Sequence, residues 1–323
     1  MKTSEDKAIL SLMRETEHDL PWLERALQAA IKLEHATLPP YLCALWSIKD
    51  ETDPSYSILR GIVMDEMRHM GLACNLLTTL GGTPRIHEEG FVPTYPGPLP
   101  GGVRPGLEVT LAGLSRPQIE KVYMEIEMPE RPLALAETYP TIGKFYDAIQ
   151  AAFDKLAPSQ ITGQRQIDRF VFAIKNHDDA RRAIDLIKRQ GEGTSDSPYT
   201  DPTNPRKLAH YYAFKEILIG NKLEKNERGE WVFKGAPIPF PDVHPMATVP
   251  PGGYDLPTAR QFDELYTKML LALENAWKRE GGSIGPAVGL MHELPSLALD
   301  LMRTPLPSNP SRTYGPCFRF RPS

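Results

Sequence analysis

The sequence is poor in cysteine: 323 residues hold only Cys43, Cys74 and Cys317. No two of them form a Cys-x-x-Cys pair, which argues against a disulfide framework and a cysteine-based zinc or iron–sulfur site. Cys43 and Cys74 fall within apolar helical patterns and read as buried thiols. An excess of positive charge is also missing. The 37 Lys and Arg are outnumbered by 41 Asp and Glu, a net charge of -4, so the basic footprint of a nucleic-acid binder is absent. No apolar run has the length a bilayer span requires. The opening residues MKTSEDKAIL carry no long apolar stretch of the kind that starts a secretory signal. A cytoplasmic setting without nucleic-acid or membrane partners is the expectation. No repeat of fixed period is visible.

What the chain has in quantity is proline, 32 residues, together with 24 glycines. They cluster in 84–107, 198–205, 237–257 and 305–322, which reads as long loops between helices. The helices themselves show in the apolar spacing. One is expected over 20–50, with Asp19 as cap, Pro21 in the first turn and Pro39-Pro40 as a kink or interruption. A second is expected from about Ser55 to Leu80, stopped by Gly81-Gly82. Ser115 heads a short helix over 116–128. Further helices are expected at about 140–156, 180–190, 206–220, 257–279 and 284–303. Asn226-Glu227-Arg228-Gly229 has the composition of a hairpin turn. The expected fold is mostly α, with helices long enough for a bundle.

The chemistry lies where charges interrupt these apolar stripes. Glu34 shares a face with Leu27, Ala30, Ile31 and Leu38. Glu66 and His69 share one with Leu59, Ile62, Val63, Met70 and Ala73. A buried carboxylate costs several kcal/mol unless it is paired, protonated or bound to a metal. Glu66 and His69 are three residues apart, so both project from one side of one helix. That is the Glu-x-x-His arrangement of di-iron carboxylate bundles, in which hard oxygen donors and imidazoles hold two ions. The remaining carboxylate of such a set falls on Glu127, which follows Ile119, Tyr123 and Ile126; Glu125 sits on the flank of the same stripe. No second contiguous Glu-x-x-His occurs. Glu192 at the end of the 180–190 helix and His210 on the 206–220 stripe read as its two halves, separated by a loop insertion. The metal-ligand set is therefore Glu34, Glu66, His69, Glu127, Glu192 and His210. Tyr41, Tyr123 and Tyr211 lie near these positions as proton donors or pocket walls, and the 83–113 and 193–205 loops are candidates for a substrate entrance.

The segments LEHATLPPYLCALWSIKD and MDEMRHMGLACNLLTTLGGTP resemble the ferritin-like domain family of iminophenyl-pyruvate dimer synthases, the imine-dimerising enzymes of the violacein and indolocarbazole pathways. YMEIEMPE, TIGKFYDAI, QGEGTSDSPYTD, LAHYYAFKEI, FDELYTKMLLAL and MHELPSLALDLM match it in order along most of the chain. The resemblance implies a ferritin-like four-helix bundle with long loops, a small β-hairpin and C-terminal helices. The division expected is 1–221 for the di-metal bundle and 222–323 for a hairpin and helical extension packed on it. It implies the same six ligands position by position and two iron ions, with manganese as the other metal such ligands serve. Glu34, Glu66 and Tyr123 are the expected catalytic residues. The implied activity is that of a non-haem di-iron oxidoreductase of secondary metabolism, using dioxygen or peroxide on a small amino-acid-derived imine or amine. The alternative is a ferroxidase or other iron-handling protein without an organic substrate. A homo-oligomer is compatible with either.

Overall fold

A computed structural model describes residues 8–129, 142–192, 198–200 and 207–322. Helices dominate: α1 (Ala8–Leu12), α2 (Leu20–Ser47), α3 (Pro54–Thr79), the single turns α4 (Arg116–Gln118) and α5 (Met124–Ile126), α6 (Ile142–Phe153), α7 (His177–Glu192), α8 (His210–Ile219), α9 (Pro257–Ala276) and α10 (Gly285–Arg303). Strands β1 (Asn221–Lys225) and β2 (Trp231–Pro237) form the antiparallel hairpin expected around Asn226 and Gly229. A second small hairpin, β3 (Pro305–Leu306) with β4 (Asn309–Thr313), lies in the proline-rich C-terminal region, where no strand was expected.

The two longest helices are built by local chemistry. Asp19 accepts a hydrogen bond from the Trp22 amide and caps α2; Asp53 accepts from the Ser55 amide and caps α3. Such caps each contribute on the order of 1 kcal/mol. At its other end α3 closes with paired bonds, Gly82 N–H to Leu77 O and Gly81 N–H to Thr78 O. Gly81 takes the left-handed φ of 91° that this closure needs.

Pro39-Pro40 does not interrupt α2, which runs unbroken to Ser47. Pro40 has no N–H for the Ala36 carbonyl four residues back. That carbonyl instead accepts from the Tyr95 hydroxyl at 2.8 Å. The partner comes from the long loop after α3, which is why the local sequence pointed to a break.

Helices α2 and α3 pack together along their length; α6 and α7 pack beside them, and α8 contacts α3 and α7. The α9–α10 pair lies against α2. One apolar cluster runs through all of these layers, from Ile9 to Phe318. Among the described residues no helix is long and apolar enough to cross a membrane.

Candidate metal centre

Five of the charged residues read from the stripes meet in the bundle interior. Glu34 comes from α2, Glu66 and His69 from α3, Glu127 from the residue following α5, and His210 from the first position of α8. All five are buried, none more than 6% exposed. They form two triads: Glu34, Glu66 and His69, and Glu66, Glu127 and His210. In each, one oxygen or nitrogen per residue lies within 4.8 Å of the others. Glu66 belongs to both, so the two triads adjoin and share one carboxylate, and each could hold a metal ion.

Local structure explains how Glu127 and His210 arrive there. Between α4 and α5, residues Ile119–Tyr123 form a π turn, an expanded turn that is rare and concentrated at functional sites. It re-aims the residues that follow, so that Glu127 points inward while Glu125 stays half-buried. His210 is positioned by a short bridge in which Thr200 N–H donates to Lys207 O and Ala209 N–H to Pro198 O.

The imidazoles are held in one sense. His69 Nε2 lies 2.7 Å from Gln190 Oε1, an acceptor that fixes the proton on Nε2. Its Nδ1 then faces the carboxylates, 3.5 Å from Glu34 and 3.7 Å from Glu66. His210 Nε2 lies 3.5 Å from Asp65 Oδ2. Its Nδ1 is 2.8 Å from Glu66 Oε1 and 3.5 Å from Glu127 Oε2, yet it makes no hydrogen bond of acceptable geometry. An outer acceptor on one nitrogen and an inward lone pair on the other is how proteins present histidine to a metal.

The terminal carboxylates are braced in the same manner. Tyr41 donates to Glu127 Oε1 at 2.6 Å, and Tyr146 donates to Glu34 Oε1. The Thr37 hydroxyl lies 2.8 Å from Glu66 Oε2. Burial, and then the neighbouring carboxylates, hold both phenols well above the ordinary tyrosine range, so they remain donors.

Charge balance favours cations at this position. Among the described residues no Lys or Arg pairs with Glu34, Glu66 or Glu127; the nearby Lys207 and Arg68 are engaged by Asp65 at 2.7 and 3.1 Å. Burial and the charge of Glu127 push the Glu66 carboxyl up. Burial pulls both imidazoles down, but the surrounding carboxylates outweigh it and raise both. The cluster therefore attracts positive charge, and its donor set of three carboxylates and two imidazoles fits a pair of divalent ions.

A cavity of about 40 Å³ adjoins the triads, lined by Glu34, Thr37, Glu66, His69, Glu127 and Tyr146 among others. One water needs roughly 10–15 Å³ on this scale, so the space has room for a few water-sized species. Lys188 of α7 forms part of its wall and reaches partly into solvent, paired with Asp147.

The other sequence candidates fall elsewhere. Tyr123 donates its hydroxyl to the Pro40 carbonyl at 3.1 Å, turned to the α2 backbone and away from the carboxylates. Tyr211 is half-buried against Tyr212, with Lys215 over its ring. Glu192 ends α7, and its side chain lies outside the described residues, as do 193–197 and 201–206 of the candidate entrance loop. Reading the stripes missed Thr37, Asp65, Tyr146 and Gln190. Thr37 and Asp65 carried a signal, since one lies three residues from Glu34 and the other next to Glu66; Gln190 and Tyr146 carried none.

Comparison with known proteins agrees with the helical fold. The Ferritin-like family model matches residues 27–219, a span that contains all five gathered residues. A ferritin-like protein from Caulobacter vibrioides with a solved structure shares the fold, with a TM-score of 0.65 and 23% identity. The match covers 93% of this chain and 98% of that one. No curated protein matches the sequence.

Proposed function

The chain belongs to the ferritin-like family, and we propose that within it this protein is a non-haem di-iron oxidoreductase acting on a small amino-acid-derived imine or amine. The observation that carries the reading is the pair of buried triads sharing Glu66, with an inward Nδ1 in each. Glu34 and His69 would hold one ion, Glu127 and His210 the other, and Glu66 would lie between them; Glu192 is proposed as the sixth ligand. When bound, two iron ions supply the redox equivalents with which dioxygen or peroxide is reduced; manganese could occupy the same donors. The chain's own groups do the rest. Gln190 and Asp65 orient the imidazoles, Tyr41 and Tyr146 hold the outer carboxylates and store protons on their hydroxyls, and the bundle excludes water.

Because the adjoining cavity has room for a few water-sized species, the organic substrate is expected at its edge. Lys188, paired there with Asp147, would exchange that partner for the carboxylate of an amino-acid-derived molecule. The resemblance to iminophenyl-pyruvate dimer synthases supports an imine or amine as that substrate. The proposed catalytic groups are Glu34 and Glu66; Tyr123 is proposed to act through the α2 backbone it braces.

Anaerobic iron titration with elemental analysis tests the reading. Two ions per chain are expected, and a Glu66→Ala/His69→Ala double variant should lose both. Less than one tightly bound metal per wild-type chain, or unchanged loading of the double variant, would sink it. Rapid iron oxidation with a mineral-filled shell and no turnover of imines or amines would instead assign an iron-handling role.

A further inference from the structure

Between the α2–α3 pair and the α9–α10 pair lies a second, much larger cavity of about 420 Å³. It shares no lining residue with the small cavity at the metal centre. Glu34, Thr37, Glu66 and His69 line that one, whereas Leu38, Leu42, Met67 and Met70 of the same two helices line this one. The wall is apolar almost throughout. Five of the chain's 11 methionines contribute to it: Met64, Met67, Met70, Met269 and Met291.

Native cores rarely contain voids much larger than a water molecule, and ligand pockets span roughly 300–1,000 Å³. The space thus has the dimensions of a binding site. Methionine is unbranched and polarisable, so a methionine-rich wall adapts to varied apolar shapes. Arg60 is the permanently charged side chain of the lining and is exposed, as is His292, while the His35 imidazole on the same wall is buried. Arg60 forms no ion pair among the described residues, whose pairs occur elsewhere. Tyr56, also on the wall, interacts with both the Arg60 guanidinium and the Glu51 carboxylate, the latter through a hydrogen bond. An unpaired guanidinium at the mouth of an apolar chamber matches one ligand chemistry: an apolar body ending in a carboxylate, which arginine grips with two parallel hydrogen bonds.

We propose that this cavity binds an amphipathic monocarboxylic acid, its apolar body among the methionines and its carboxylate at Arg60. The ligand sits across the α2–α3 layer from the triads, so it is not the molecule oxidised there. The inference stands whether or not the centre is loaded with iron.

Calorimetric titration of the full chain with dodecanoate and with dodecan-1-ol tests it. Dodecanoate is expected to bind saturably, one molecule per chain, at least about tenfold more tightly than the alcohol. Arg60→Gln should bring the acid down to the level of the alcohol. Val288→Trp, or Leu273→Phe where the first does not fold, should reduce binding of both while leaving metal content unchanged. A diazirine-bearing dodecanoate should crosslink to peptides of α2, α3, α9 or α10. Absence of saturable binding, equal binding of acid and alcohol, crosslinks confined to other elements, or a folded cavity-filling variant that binds as the wild type does would each overturn the proposal.

Discussion

At the residue scale, the centre depends on side chains that never touch the ions they would serve. Asp65 is the clearest. Burial alone would raise its carboxyl, but hydrogen bonds and charge from His210 and Lys207 outweigh it and hold it well below the usual carboxylate range. It remains an anion that fixes His210 Nε2. Asp65→Asn keeps the shape and removes the charge, and it should weaken metal binding by roughly 10–100-fold; because the depressed carboxyl also supports the fold, the variant should be less stable near pH 7. Competition with a chromogenic chelator measures this directly; unchanged affinity would remove Asp65 from the centre. The five gathered residues are visible in sequence because each is a charge on an apolar stripe, where burial would be costly without a partner. Gln190 and Tyr146 are not visible, since an uncharged polar residue on a helix is ordinary until a distance across the bundle gives it a role.

At the element scale, α2 shows how a local rule is overridden from a distance. The Tyr95 hydroxyl supplies the hydrogen bond that Pro40 cannot give to the Ala36 carbonyl. Tyr95→Phe leaves that buried carbonyl without a partner, which costs about 1–3 kcal/mol; urea denaturation should show a lower midpoint at unchanged slope. The loop that carries Tyr95 is anchored at its start by α9. Glu274 accepts from the Ile86 and His87 amides at 2.8 Å each and pairs with Lys278 at 2.7 Å. Burial raises the Glu274 carboxyl, but Lys278 and the two amides outweigh it, so it lies below the ordinary range. A depressed carboxyl stabilises the fold above its unfolded value and loses that contribution as pH falls through the folded value. Glu274→Gln should therefore be destabilised near pH 7, with the gap to wild type closing in acid; a gap that stays constant with pH would contradict this. The individual helices were readable from apolar spacing, caps and glycine stops. Neither the Tyr95 contact nor the π turn was, because one depends on a partner outside the helix and the other on a hydrogen-bond register that no residue type marks.

At the scale of the whole molecule, metal held by the buried triads would be coupled to folding. Among the described residues no Lys or Arg pairs with the three enclosed carboxylates, which repel one another, and ions that bind only the folded chain stabilise it in proportion to their affinity. Metal held at one hundred times its dissociation constant contributes about 2.7 kcal/mol. Chelation should accordingly lower the melting temperature by several degrees, and the Glu66→Ala/His69→Ala variant should show no such response. A chelation-insensitive wild type would argue that the cluster is filled by protons alone. The ferritin-like character was legible from sequence because its helices and ligands repeat a recognisable order. The large cavity was not, since its wall is assembled from four helices whose stripes each read simply as core.

The π turn at Ile119–Tyr123 also has a genetic meaning. An α-helix rotates about 100° per residue, and a π turn accommodates one residue more than an α turn does. Loss of a single codon there would restore regular winding and swing Glu127 away from Glu66 and His210, with every ligand residue still encoded. The second ion site is thus vulnerable to a change that alters none of its ligands, and alignments scored by ligand identity alone would overlook its loss.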